Sequence, residues 1–164
     1  MAPITSSVEV ACAPETVFAY VTDPSRFGEW QENVTSGHVE GGGPHGVGAI
    51  CRTTRRIGFA ERPVTSEITH IDPPRTWTVR GIDGPIRALV EVTVCALDDP
   101  QRSALTISID FEGHGIGKLL VPLVIRREAT KEMPRNLQRL KVNLESRAAS
   151  GTPDDGPGRQ SRAT

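Results

Sequence analysis

The fold is decided by the stretch RSALTISIDFEGHGIGKLLVPLVIRREATKEMPRNLQRLKVNLES, which runs from Arg102 to Ser146. Its first part alternates apolar and polar residues, with Leu105, Ile107 and Ile109 on one side, as in a strand with one buried face. Its second part repeats apolar residues at helical spacing, which predicts a long helix with one apolar stripe. The stripe consists of Leu119, Leu123, Met133, Leu137, Leu140 and Leu144. No comparable helix precedes Arg102, so we expect this helix to pack on a sheet made by the rest of the chain.

The chain before Arg102 combines strand patterns with turn residues. A helix is predicted to begin at Pro14, because proline suits the first helical turn, and a second short helix should carry Phe27 and Trp30. The predicted strands span about 5–11, 34–40, 48–57, 63–71, 75–81 and 86–97. With the last strand, this order predicts an α+β fold in which a curved antiparallel sheet of about seven strands wraps around a long C-terminal helix.

Alternation within the strands assigns side chains to the inner face. Val64, Ser66, Ile68 and His70 share one face of their strand, whereas the alternation over 48–57 leaves the inward face of that strand open. On the helix, Arg126 and Thr130 are polar members of an otherwise apolar stripe. Counting back from Leu137 places both near the sheet, although Arg126 could instead lie at the stripe edge and extend to solvent. Pro134 is expected to kink this helix.

Length and composition predict one domain over residues 1–148, followed by a disordered polar tail over 149–164. The net charge of -1, from 19 basic and 20 acidic residues, gives no electrostatic case for nucleic acid or an anionic membrane. No apolar run is long enough to insert into a membrane, so a cytoplasmic protein is expected. We expect a monomer or homodimer whose partner is a hydrophobic small molecule.

No motif predicts a cofactor or a metal. Cys12, Cys51 and Cys95 form no C-x-x-C pair and are interpreted as structural thiols. The segment Gly113–Lys118 is glycine-rich but departs from the phosphate-loop pattern, since Glu112 stands where its first glycine belongs. It is interpreted as a hinge at a cavity mouth.

The order of the predicted elements, with the turn residues between them, resembles the SRPBCC or START-like helix-grip superfamily, in its polyketide cyclase/dehydrase branch. The matching pieces are Val8-Glu9-Val10, Ala13 to Phe18, Val21-Thr22-Asp23-Pro24, Trp30, Gly46-Val47-Gly48, Ile71 to Arg75 and Leu137 to Glu145. The resemblance implies a deep apolar cavity between the sheet and the helix. Cyclases that this chain resembles use a cavity arginine and inward hydroxyl groups, but the corresponding stretch here, Val64 to His70, holds no arginine.

Three functions follow as hypotheses. The first is binding or transport of a hydrophobic, polyketide- or lipid-like molecule in the cavity. The second is a polyketide cyclase/dehydratase in which Arg126 and His70 are the candidate catalytic residues. The third is a self-resistance protein that sequesters a compound without converting it. The candidate ligand-binding residues are Trp30, Ser66, Ile68, Trp77, Val79, Val90, Val92, Ile107, Ile109, Leu119, Leu123, Thr130 and Met133.

Overall fold

The computed structural model describes residues 2–42, 45–120 and 124–151. These residues contain seven strands and four helices. The strands are β1 (Ile4–Val10), β2 (Val34–Val39), β3 (Ile50–Ile57), β4 (Ala60–Asp72), β5 (Thr76–Gly81), β6 (Ile86–Ala96) and β7 (Ser103–Gly113). The helices are α1 (Pro14–Val21), α2 (Phe27–Trp30), α3 (Gly117–Leu120) and α4 (Arg126–Ser150), and short 3₁₀ turns occupy Pro24–Arg26 and Glu40–Gly42.

All seven strands belong to one antiparallel sheet in the order β1-β7-β6-β5-β4-β3-β2. Each strand from β2 to β6 pairs with the next strand of the chain, and β1 joins β7 at the far edge. The sheet therefore has β1 and β2 as its two edges. The predicted antiparallel sheet of about seven strands with a long C-terminal helix is confirmed.

The core forms where α4 packs its apolar stripe on the concave face of the sheet. Met133, Leu137, Leu140 and Leu144 are the buried residues of α4, and Leu140 is fully enclosed. Burial of such side chains contributes about 1.5–3 kcal/mol each. This packing confirms the helical spacing read from the C-terminal half of the stripe.

The N-terminal part of the predicted long helix differs from the prediction. Leu119 lies in the separate helix α3 and is exposed, so its assignment to the sheet-facing stripe is wrong. Counting back from Leu137 assumed one continuous helix, whereas α4 begins only at Arg126. Leu123 lies outside the described residues. At its other end α4 continues to Ser150, into the segment assigned to the tail, and residues 152–164 are not described.

A β-bulge in β4 reverses the predicted direction of His70. Ile68 pairs with Val79, but His70 pairs with Thr78, so one extra residue lies between the two pairs. His70 therefore lies exposed on the outer face, where its Nε2 is 2.9 Å from the Thr76 hydroxyl. The prediction that His70 points inward is wrong because counting by twos does not register an inserted residue.

A glycine on β2 allows the turn before α2 to approach the sheet. A Cβ at Gly37 would overlap the Pro24 carbonyl oxygen and come within 3.3 Å of the Thr53 side chain. Only glycine leaves room for backbone at this distance. The position of α2, and with it Trp30, depends on this approach.

We predict that Gly37→Ala lowers the free energy of unfolding by about 1–3 kcal/mol, because the backbone of the turn must move to admit the methyl group. The matched control is Gly46→Ala, since a Cβ at Gly46 meets nothing within 4 Å. Chemical denaturation of both variants measures the effect. Equal stability of the two variants would contradict the proposed close approach.

The C-terminal half of α4 is held to α2 through Tyr20. The Tyr20 hydroxyl donates to Glu29 Oε2 at 2.8 Å, and Asn143 Nδ2 donates to the same hydroxyl at 3.2 Å. The Arg147 guanidinium lies 5.1 Å from the centre of the Tyr20 ring and 2.8 Å from Glu29. Desolvation by burial raises the pKa of Tyr20 to about 12; the Asn143 hydrogen bond opposes the rise and the Glu29 carboxylate adds to it.

Tyr20 is the chain's single tyrosine, so tyrosinate absorbance reports on this contact alone. We predict that the folded protein shows little tyrosinate at pH 10, where the chain unfolded in urea is half ionised. Because the folded-state pKa is raised, the associated stability is present below pH 10 and is lost as the pH rises towards 12. A midpoint near pH 10 with unchanged circular dichroism would contradict the burial of Tyr20.

Candidate functional site

The concave face changes from fully buried to partly exposed along its strands. On β6, Val92 and Val94 are buried, whereas Ala88 and Val90 on the same face retain partial exposure. The first residues of β6 therefore lack the cover that the later residues of the strand have.

The neighbouring strand β7 shows the same change. Leu105 and Ile107 are buried, while Ile109 and Phe111, which pair with Val90 and Ala88, are partly exposed. We call this region the open end of the sheet; it is the end at which β6 begins and β7 finishes. We use the name recess for the partly uncovered concave surface around Ala88, Val90, Ile109 and Phe111.

The predicted lining residues divide between the recess and the core beneath it. Ser66 faces the recess opposite Gly81, as Val79 does opposite Val90, and Ile109 continues this apolar surface on β7. The inward face predicted for β4 at Val64, Ser66 and Ile68 is consistent with these pairings. Six further members form the core floor, whereas Leu119 and Thr130 are exposed; the six are Trp30, Ile68, Trp77, Val92, Ile107 and Met133.

Two tryptophans in this floor hold unsatisfied donors. Phe27 packs edge-on against both, with ring centres 5.9 Å from Trp30 and 6.3 Å from Trp77. Within the described part of the chain, neither indole Nε1 has a hydrogen-bond partner, although both are buried. A buried donor without a partner costs about 1–3 kcal/mol. An acceptor oxygen reaching either nitrogen would recover that energy.

Arg55 is a site residue that sequence reasoning missed. Cys51 pairs with Ser66 and Thr53 with Val64, which directs Arg55 to the inner side of β3. Its Nη2 donates to Gln31 Oε1 at 2.9 Å, at the end of α2. The alternation of Cys51, Thr53 and Arg55 was visible in the sequence, but its inward direction was not, because both faces of this strand carry polar residues.

Beside Arg55, two hydrogen bonds link the segment that follows α2 to the helix α4. Asn33 Nδ2 donates to Glu132 Oε1 at 2.6 Å, and the Glu32 amide donates to Asn136 Oδ1 at 3.2 Å. Burial lowers the pKa of Arg55, and the nearby Glu132 carboxylate opposes that effect. The residue nevertheless keeps partial solvent exposure. Arg55 is therefore deeply placed on the inner side of β3 and is still accessible to solvent.

Arg126 and Thr130 lie elsewhere than predicted. Arg126 pairs with Asp110 on the outer side of β7, with 3.3 Å between Nη1 and Oδ1, and its Nη2 donates to the Ala2 carbonyl. The Thr130 hydroxyl donates to the Arg126 carbonyl at 2.7 Å and the residue is exposed. The prediction that both line the inner face of the sheet is wrong, since Thr130 is exposed and Arg126 is bonded to Asp110 and to Ala2, which precedes β1. Arg126 and His70 are not brought together.

Two shallow grooves lie outside the open end. One, of about 390 Å³, follows the seam between β1 and α4 beneath Pro134 and Gln138. The other, of about 300 Å³, lies on the outer face beside His70, Thr78 and Glu91. Both are open surface features, and the first shows that α4 does not close fully on β1 near Pro134.

Burial raises the pKa of the inward Cys51 thiol to about 11, so this thiol stays protonated near neutral pH. Within 2–42, 45–120 and 124–151, no three His, Cys, Asp or Glu side chains are grouped to hold a metal ion. No helix in those ranges has the length and apolar character needed to cross a membrane.

The fold has many solved counterparts of low sequence identity. The Zhui aromatase/cyclase from Streptomyces sp. R1128 superposes with a TM-score of 0.75 at 16% identity, covering 92% of this chain and 98% of that protein. A START superfamily protein from Mycobacterium smegmatis gives 0.65 at 17% identity, with 93% and 100% coverage. A conserved protein from Geobacillus kaustophilus gives 0.63 at 20% identity, with 87% and 95% coverage. These similarities establish the helix-grip fold.

Sequence comparison assigns the family. No protein with a curated description matches the chain significantly. The family model described as "Polyketide cyclase / dehydrase and lipid transport" matches residues 1–145, which include every described strand and most of α4. This chain therefore belongs to the polyketide cyclase/dehydrase and lipid transport family.

Proposed function

We propose that the protein binds a hydrophobic small molecule, polyketide- or lipid-like, in the recess at the open end of the sheet. The observation that carries the proposal is the partial exposure of Val90 and Ile109 on the concave face, where Val92 and Ile107 on the same strands are buried. Apolar side chains that face inward yet remain accessible to solvent gain free energy when a ligand covers them.

The polar groups around the recess indicate that the ligand carries oxygen. Arg55 and the two indole Nε1 groups are donors, and Ser66 can donate or accept. A mostly apolar wall with a few donors suits a molecule with a hydrocarbon body and carbonyl or hydroxyl groups. A pure hydrocarbon would leave the two indole donors without partners.

We predict that Val90→Phe weakens ligand binding by at least about tenfold, because the larger ring fills the recess. Anthraquinone and palmitate are suitable probes, followed through the fluorescence of Trp30 and Trp77, the chain's two tryptophans. The control is Thr93→Phe, which adds the same ring on the outer face of β6 and should leave affinity unchanged. Absence of a response to either probe in the wild-type protein, or equal affinities of both variants, would contradict the recess as the site.

A second candidate function is a polyketide cyclase/dehydratase, and the specific observation in its favour is Arg55. A cyclisation joins an enol carbon to a ketone carbon, and the ketone oxygen gains negative charge as the bond forms. A guanidinium that donates to this oxygen stabilises the charge before a proton neutralises it, and loss of water then completes the dehydration. Arg55 provides such a donor in a partly desolvated position on the inner side of β3.

We predict that Arg55→Gln lowers turnover of a poly-ketone by on the order of 10²-fold, the usual effect of losing one oxyanion donor. The matched control is Arg56→Gln, the next residue, which faces the opposite side of β3 and should retain turnover. Arg126→Ala and His70→Ala should also retain it. Equal rates for Arg55→Gln and the wild-type protein would exclude Arg55 from catalysis, and an affinity change without turnover would favour simple binding.

A further inference from the structure

Exposed apolar side chains are concentrated around the open end of the sheet. Eight large apolar residues are exposed in the described ranges, and six of them lie on the strand end, turns and helix ends that border this end. These six are Ile57, Phe59, Ile82, Ile116, Leu119 and Val124, and we call them the apolar rim. The other two, Val47 and Val142, lie away from it.

The rim comes from separate segments that the topology brings to one end. Ile57 and Phe59 occupy the tip of the β3–β4 hairpin, and Ile82 lies in the β5–β6 turn. Ile116 precedes α3, which lies on that turn, since the His114 amide donates to the Pro85 carbonyl at 2.8 Å. The rim therefore borders the recess on several sides. A solvent-exposed ring of this kind marks an interaction surface.

The charge around the rim differs from that of the whole chain. Arg56 and Arg62 border the hairpin tip, Lys118 lies between two rim residues, and Arg127 follows Val124; all four are exposed. Arg80 and Lys131 lie in the same segments, so these six cations outnumber the four acidic residues there. Glu112 pairs with Arg80 and Glu128 approaches Lys131. Glu61 and Asp83 are the other exposed carboxylates on the rim loops, so the local balance is positive although the net charge is -1.

We propose that the apolar rim docks on the surface of an anionic lipid bilayer, with the recess facing the membrane. Phe59 is completely exposed at a hairpin tip, and apolar tips between cations fit the interface between anionic headgroups and acyl chains. Docking is peripheral and needs no spanning segment. It also gives a poorly soluble ligand a route into the recess without crossing water. The inference rests on the rim itself and holds whichever ligand the recess takes.

The test is flotation of the full chain with vesicles of phosphatidylcholine containing about 30 mol % phosphatidylglycerol, a composition that gives a negative surface potential. Wild-type protein should float with these vesicles, less so at high salt and less with pure phosphatidylcholine. Phe59→Ser should reduce the bound fraction at least fivefold, and Ile57→Ser should reduce it similarly. Both residues are exposed, so neither change should affect folding, which circular dichroism verifies.

The matched control is Val142→Ser, which removes an exposed apolar residue from the C-terminal half of α4 and should float as the wild-type protein does. Absence of wild-type flotation, or equal losses for Phe59→Ser and Val142→Ser, would overturn the proposal. Concentration-dependent dimerisation that Phe59→Ser abolishes, without vesicle binding, would overturn it in favour of a second copy of the chain. Ligand binding by Phe59→Ser is measured separately, so failure of the membrane proposal remains distinct from failure of the recess.

Discussion

The structure depends on one packing contact, the seating of the apolar stripe of α4 against the concave face of the sheet. Leu140 on the helix, Leu105 on β7 and Val10 on β1 have no solvent exposure, so they mark the centre of this contact. An antiparallel sheet with one apolar face must cover that face to be stable. The helix supplies the cover, and the burial of its side chains offsets the entropy lost in ordering the strands.

Polar contacts on both sides of α4 fix its direction and decide which part of the sheet it covers. On the β1 side, Lys141 Nζ donates to the Glu9 carbonyl at 2.7 Å, and Glu145 accepts from the Ala11 amide at 2.9 Å. On the α2 side, Asn143 Nδ2 donates to the Glu29 carbonyl at 3.1 Å. These bonds hold the C-terminal half of the helix at one end of the sheet. The other end is thereby left with partly exposed aliphatic residues, and the candidate site is a consequence of how the helix is anchored.

Much of the fold could be predicted from the sequence, and the predictions that were wrong have identifiable causes. The spacing of Met133, Leu137, Leu140 and Leu144 predicted the buried stripe correctly because that part of α4 is regular. His70 was misassigned because a bulge adds one residue to β4. Arg55 was missed because β3 carries polar residues on both faces, so that its orientation follows only from its pairing with β4.

The sequence by itself determined the class of fold, the order of its elements and the family, since local periodicity and turn residues specify strands, helices and their sequence order. Tertiary structure alone decided where the site lies. Strand register turned Arg55 inward and His70 outward, and the break before Arg126 separated Leu119 from the sheet-facing stripe of α4. The sequence also could not show that the hairpin tips lie around one open end of the sheet. Residues as distant in sequence as Phe59 and Ile116 reach the same end only because the strands between them pair.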